Sequence, residues 1–217
     1  MKRQSLLAIS LLALAACSTN PEKRIPRAAA DAMTGSPWTL TAVSSLTIEG
    51  TGKGLDRAGV PFTITDFHRV MNFKKGAWVH QESRDGGPMR AQLLAAGERI
   101  HYPFGFVMAA FAAKSQLSNT RIEGKLEAVD LIAEGGKHTL YIDAQTKLPA
   151  RIVTTGSPAV ETSFGQYVTI HGYHLPSQVT RKVGDTVVWE LNATRQIASS
   201  DAVDSPRTEN QPRAAAQ

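Results

Sequence analysis

The chain has 217 residues, 42% hydrophobic and 20% charged, which suits one folded domain with a sizeable core or two small ones. Its formal charge is +5, and loss of Lys2 and Arg3 with a leader would leave 22 basic against 19 acidic side chains. So weak and scattered an excess argues against a nucleic-acid partner and fits an anionic lipid surface only loosely.

In chain order, Lys2 and Arg3 precede an uncharged apolar run, Leu6 to Ala16. The run falls short of the roughly 20 residues that span a bilayer and has the length of a signal-peptide core. It ends in Leu14-Ala15-Ala16-Cys17, and Cys17 is the only cysteine, so no intramolecular disulfide forms. These four residues resemble the lipobox of bacterial lipoproteins. The resemblance implies a signal peptide of residues 1–16, diacylglycerol on the Cys17 thiol, cleavage before it, and acylation of the new amino group. The alternative is an ordinary secretory signal that happens to hold a cysteine. A membrane partner through lipidated Cys17 is therefore expected, with each buried methylene contributing about 0.8 kcal/mol. Ser18 replaces the aspartate that usually retains lipoproteins at the inner membrane. By that resemblance the expected location is the periplasmic face of the outer membrane.

Residues 17–36 read as lipid anchor and tether, because Pro21, Pro26, three consecutive alanines and mixed charges show no apolar periodicity. Residues 198–217, polar and with Pro206 and Pro212, read as a disordered tail. One domain, 37–197, lies between. It opens with a weak helix around Thr39 to Ser45. Strand signals follow at Leu46 to Glu49, Phe62 to Phe73, Ala77 to Arg84, Thr120 to Ile132, His138 to Asp143, Ala150 to Thr155, Tyr167 to His171, Ser177 to Lys182 and Thr186 to Asn192. Within Phe62 to Phe73 the apolar parity switches from Phe62 and Ile64 to Phe67, Met71 and Phe73, which predicts a bulge near Asp66. Asp85-Gly86-Gly87, Gly135-Gly136 and Val183-Gly184-Asp185 supply turns between strands. The spacing reads as an antiparallel meander, not as alternating βαβ units.

Phe104 to Lys114 stands apart, with no polar residue before Lys114. As a helix it places Phe104, Val107, Met108 and Phe111 on one face and Phe106, Ala109, Ala110 and Ala113 on the other. A helix apolar all round must be covered on more than one side. It is either a core helix or one lying over the concave side of a sheet, next to an apolar cavity.

Chemical motifs are sparse. Gly50-Thr51-Gly52-Lys53-Gly54 lacks the spacing, the following Ser or Thr, and the helix of a phosphate loop, so it reads as a flexible strand connection. Of six histidines only His171 and His174 are close, and residues three apart on a strand face opposite ways. No metal site, catalytic residue or cofactor is expected. Asp66, Glu82, Glu127, Asp130 and Asp143 are scattered, and Asp143, before Thr146 and Pro149, reads as a turn former. Trp38, Trp78 and Trp189 read as core or sheet-face residues, since no basic run interleaves with them.

The stretch Leu140 to Arg151, with Asp143, Thr146 and Leu148-Pro149, followed by Tyr167, Gly172 and Leu175-Pro176, has a family look. It resembles the lipoprotein carriers LolA and LolB. It is also similar to the domain preceding the hydrolase domain in some metallo-β-lactamase-fold proteins, where a start like Ser45 to Gly52 occurs. The metal-binding half of those hydrolases has no counterpart here, so their activity does not carry over. The resemblance implies a mainly β (α+β) fold: a curved antiparallel half-barrel sheet with one or two helices on its concave face.

Three functions follow as expectations. The first is a protein that binds a lipid, an acyl chain or another apolar small molecule, with Phe104, Phe106, Met108 and Phe111 near the cavity. The second is a structural or adaptor lipoprotein acting through a protein partner. The third is a hydrolase whose site sequence does not reveal. A cavity of some hundreds of Å³ would favour the first. A filled core with an exposed apolar patch would favour the second.

Overall fold

The structure, a computed structural model, describes residues 21–35, 45–72, 75–170 and 172–199. Four strands, β1 (Ser45–Leu55), β2 (Pro61–Asn72), β3 (Ala77–Arg84) and β4 (Arg90–Leu93), meander to one edge of a sheet. The chain then crosses to the opposite edge through two short helices, α1 (Ala96–Arg99) and α2 (Pro103–Phe111). From that edge β5 (Gln116–Glu123), β6 (Leu126–Ala133), β7 (Gly136–Asp143), β8 (Pro149–Thr154), β9 (Val160–Ile170), β10 (Tyr173–Val183) and β11 (Thr186–Ser199) meander back. β11 pairs antiparallel with β1 and joins the halves into one eleven-stranded sheet. The edges β4 and β5 do not pair, so the sheet is an open half-barrel, the fold the sequence led us to expect.

The bulge predicted near Asp66 is present, where the pairing of β2 with β3 shifts between Ile64 and Asp66. It turns Phe67 and Met71 inward with Ile64. The glycine-rich stretch is not a connection, as expected, but the second half of β1. A Cβ on Gly50 would lie 2.3 Å from the Asn192 carbonyl oxygen, and one on Gly52 would lie 2.1 Å from that of Glu190. These glycines let β11 approach closely where the sheet coils through two register shifts. Thr120 to Ile132, read as one strand, is split between β5 and β6 by a turn at Gly124. β4 is a strand that sequence did not signal, because all four of its residues are exposed and no alternation marks it.

The largest correction is N-terminal. Arg24–Thr34, expected as tether, forms a helix, αN, preceded by a 3-10 turn at Pro21–Lys23. Ile25, Ala29, Ala30 and Met33 lie on one stripe and are fully buried. αN packs against α2, β6, β7 and β10. Arg24 forms a 2.8 Å ion pair with Glu127, which also binds Lys147. Gly35, with positive φ, closes the helix by donating its N–H to the Asp31 carbonyl at 2.7 Å. The periodicity was hidden because half of the stripe is alanine, weakly apolar yet small enough to let the helix lie close. Burying Ile25 and Met33 contributes about 1.5–3 kcal/mol each. At the other end β11 runs to Ser199, past the expected boundary at Ile197. Residues 1–20 with Cys17, Trp38, the helix expected at Thr39 to Ser45 except Ser45 itself, which opens β1, and residues 200–217 lie outside the described residues.

Candidate functional site

The concave face is roofed by αN and by the α1–α2 crossing. α2 begins with Pro103 at its first position and ends at Phe111, three residues earlier than expected. Ser115 Oγ donates to the carbonyls of Ala110 (2.9 Å) and Ala112 (2.7 Å), which stops the helix there. Gly105 is the contact point. A Cβ on it would lie 1.9 Å from the Arg99 carbonyl oxygen and 3.1 Å from the Trp78 ring. α2 can therefore fold back on the α1 turn only with glycine at this position.

The four predicted cavity residues divide. Phe104 lines a cavity beneath α2, and Phe106 is fully buried in the core. Met108 and Phe111 are 40% and 39% exposed, so the helix is not covered all round. The Lys23 ammonium lies 5.7 Å from the Phe111 ring centre. The cavity measures about 30 Å³ and is walled by Leu46, Met71, Phe104, Phe164, Val179 and Leu191 among others. That is far below the roughly 300–1,000 Å³ of small-molecule sites. Among the described residues, the space under α2 is largely filled.

Two polar side chains, Arg69 and Gln196, reach this apolar space along with Tyr102. Arg69 is 2% exposed. Its guanidinium sits 4.0 Å from the Tyr102 ring centre, 4.9 Å from Phe67 and 5.5 Å from Trp189. Arg69 Nη2 lies 3.0 Å from His80 Nδ1, and His80 Nε2 lies 3.0 Å from Glu82 Oε2. Arginine can only donate, so Nδ1 accepts and the ring proton sits on Nε2, facing the carboxylate. Burial pushes the Glu82 carboxyl up, but hydrogen bonds from His80 and Arg84 outweigh it and hold the group below the usual range. Burial pulls the Arg69 guanidinium below its ordinary value. Among the described residues, Arg69 Nε and Gln196 Oε1 are buried without a hydrogen-bond partner.

Beside this group, His101 Nδ1 and His138 Nδ1 lie 3.3 and 2.9 Å from Thr154 Oγ1. Burial, then the charge of Arg181, then His138, push His101 down to about 4. Burial also lowers His138. On the convex face Asp130 binds Arg121, Lys137, Thr139 and Asn119. Burial opposes its ionisation, and those four hydrogen bonds keep it well below the carboxylate range. Asp143 Oδ1 accepts from the Gln145 and Thr146 N–H groups, the turn role expected of it. Tyr167 donates to the Pro149 carbonyl at 2.6 Å, so two parts of the family-like pattern meet as a sheet brace.

Among the described residues, no three His, Cys, Asp or Glu side chains are grouped as metal ligands. His174 Nδ1 bonds Thr169 Oγ1 at 3.0 Å, and His171 lies outside the described residues. Trp78 is core, and Trp189 lies on the inner face beside Phe67. Sequence reading missed Arg69, Tyr102, Gln196 and His101. The available signal for Arg69 was parity, since it stands between Phe67 and Met71 in the inward phase of β2.

No protein-family model matches the chain, and no curated protein matches it. Among solved structures it is similar to a LolA superfamily protein from Nitrosomonas europaea. The identity is 11%, over 81% of this chain and 92% of that one, with a TM-score of 0.46.

Proposed function

We propose that this chain is a lipid-anchored protein of the periplasmic face of the outer membrane that binds a lipid, acyl chain or similar apolar molecule on its concave face. The observation that carries the reading is how the apolar cavity under α2, too small as it stands to favour binding by its volume, is closed. It lies between a sheet of eleven strands and a roof of short helices that enters from one sheet edge and leaves at the other. A four-residue and a nine-residue helix are too short to be stable alone. They stay by packing, so an apolar chain that offers equal burial can take their place. At about 30 Å³ the cavity admits no chain until the roof shifts, so binding and roof movement are one event.

Native mass spectrometry of gently purified full-length protein, beside titration with a naphthylamine probe, tests the reading. A retained lipid or saturable probe binding is expected. Lipid-free protein that binds no apolar probe would defeat it. A second reading, an adaptor for a protein partner, draws on the exposed Met108 and Phe111. It predicts that Met108→Ser/Phe111→Ser abolishes partner capture and leaves probe binding intact.

A further inference from the structure

The cavity beneath α2 is apolar on nearly every side, yet a buried guanidinium opens onto it. Arg69 is unusual in what it lacks. The nearby carboxylate, Glu82, is reached only through His80 and is itself held by Arg84 at 2.5 Å. A second guanidinium, Arg181, lies beside Tyr102, with Nη2 3.4 Å from the phenol oxygen and its carbon 5.7 Å from the ring centre. Two cations thus share one ring, and among the described residues the Nε of each is buried without a partner. The aromatic faces of Tyr102, Phe67 and Trp189 offset part of the cost of burying Arg69, since a ring's negative face attracts a cation. They attract charge but accept no hydrogen bond along the N–H direction of Nε. Across the same cavity Gln196 is held by its Nε2, which donates to the Pro176 carbonyl at 3.3 Å, leaving Oε1 unpartnered. Buried polar atoms left unpaired beside a void are uncommon in finished cores.

We propose that this cavity receives the carboxylate head of a single-chain amphiphile, with Arg69 Nε donating to the oxyanion and the tail lying along the apolar wall under α2. The inference rests on the apolar-ligand reading above and names the chemical class of that ligand. Size decides for the head: the space present before the roof shifts, about 30 Å³, holds a few atoms, and the tail enters under α2 as the roof lifts. Size also favours a carboxylate over the bulkier glycerophosphate of a phospholipid. Gln196 Oε1 accepts from a hydroxyl near the head or from a water that enters with it. Charge favours the anion, because among the described residues Glu82 is the one carboxylate that acts on Arg69, while Arg181 adds a second positive charge.

The test is competition against a bound naphthylamine probe at pH 8, using full-length protein with oleate, methyl oleate and oleoyl lysophosphatidate below their micelle concentrations. Oleate is expected to bind at least tenfold more tightly than methyl oleate, and more tightly than the lysophosphatidate. In Arg69→Met the gap between oleate and its ester should close, and in Arg69→Lys it should return only in part. The wild-type comparison stands even if Arg69→Met fails to fold. Equal affinity for oleate and methyl oleate would overturn the head-group assignment while leaving the apolar-ligand reading in place. Tighter binding of lysophosphatidate would overturn the carboxylate. Failure of all three to compete, with the probe itself unbound, would remove both readings.

Discussion

Gly105→Ala sets two effects of opposite sign against each other. Within a helix, alanine is favoured over glycine by about 1 kcal/mol. Position 105 is helical and buried, so propensity alone predicts a more stable protein. The packing predicts the reverse. The new methyl would lie 1.9 Å from the Arg99 carbonyl oxygen and 2.5 Å from its carbon, with the Trp78 ring at 3.1 Å. Backbone atoms cannot rotate aside, so α2 must lift from the α1 turn. Overpacking costs about 1–3 kcal/mol and more against backbone, which outweighs the propensity gain. A net loss of about 1–2 kcal/mol is expected, read from urea unfolding at pH 7.5. The loosened roof should at the same time raise affinity for the naphthylamine probe, because less packing is left to displace. A variant as stable as wild type, or more so, would refute the close contact. A destabilised variant with weaker probe binding would refute the link between roof and site.

Phe106→Ala should cost about 3–5 kcal/mol in the same assay, as deletion of a fully buried ring does. Phe111→Ala, whose ring is 39% exposed, should cost about 1–2 kcal/mol, and equal losses would contradict the orientation of α2. Acid should weaken the fold through His101. Its folded value of about 4 lies below the ordinary 6.5, so the unfolded chain binds the proton first. Its contribution is full above pH 6.5 and is lost as pH falls toward 4, by about 2 kcal/mol between pH 7 and pH 5. His138 adds in the same direction. His101→Gln should flatten that slope in urea midpoints, and an unchanged slope would show that the loss arises elsewhere. Cys17→Ala should lose palmitate labelling and membrane fractionation while keeping the wild-type unfolding midpoint. Label retained by the variant would end the anchor proposal.

The sheet was legible because its cues are local. Alternation in β7 and β11, the parity switch in β2 and the turn chemistry around Asp143 each lie within a dozen residues. The glycines of β1 were visible, but their reason was not. It lies in β11, some 140 residues away, whose carbonyls occupy the space a Cβ would need. αN was lost for a different reason. Alanine signals little by hydropathy, yet Ala29 and Ala30 are fully buried because smallness is what their position requires. The site was hardest to read. Phe104 stands out by its apolar surroundings, whereas Arg69 carries as its cue only the parity it shares with Phe67 and Met71, and its neighbours come from strands distant in sequence.

The helix at the N-terminus also changes how far this domain can travel. A disordered segment from Cys17 to Ser36 would have been a leash of roughly 25 Å on average and several times that at full stretch. With the 3-10 turn beginning at Pro21, only Ser18, Thr19 and Asn20 separate it from Cys17, and the four steps from Cys17 to Pro21 reach at most about 14 Å. Acyl chains on Cys17 would then hold the 3-10 turn within the depth of the lipid head groups. Under the proposed anchor, a domain on so short a link would not swing out to meet a donor across the periplasm. Its cargo would have to arrive at, or leave through, the bilayer it stands on.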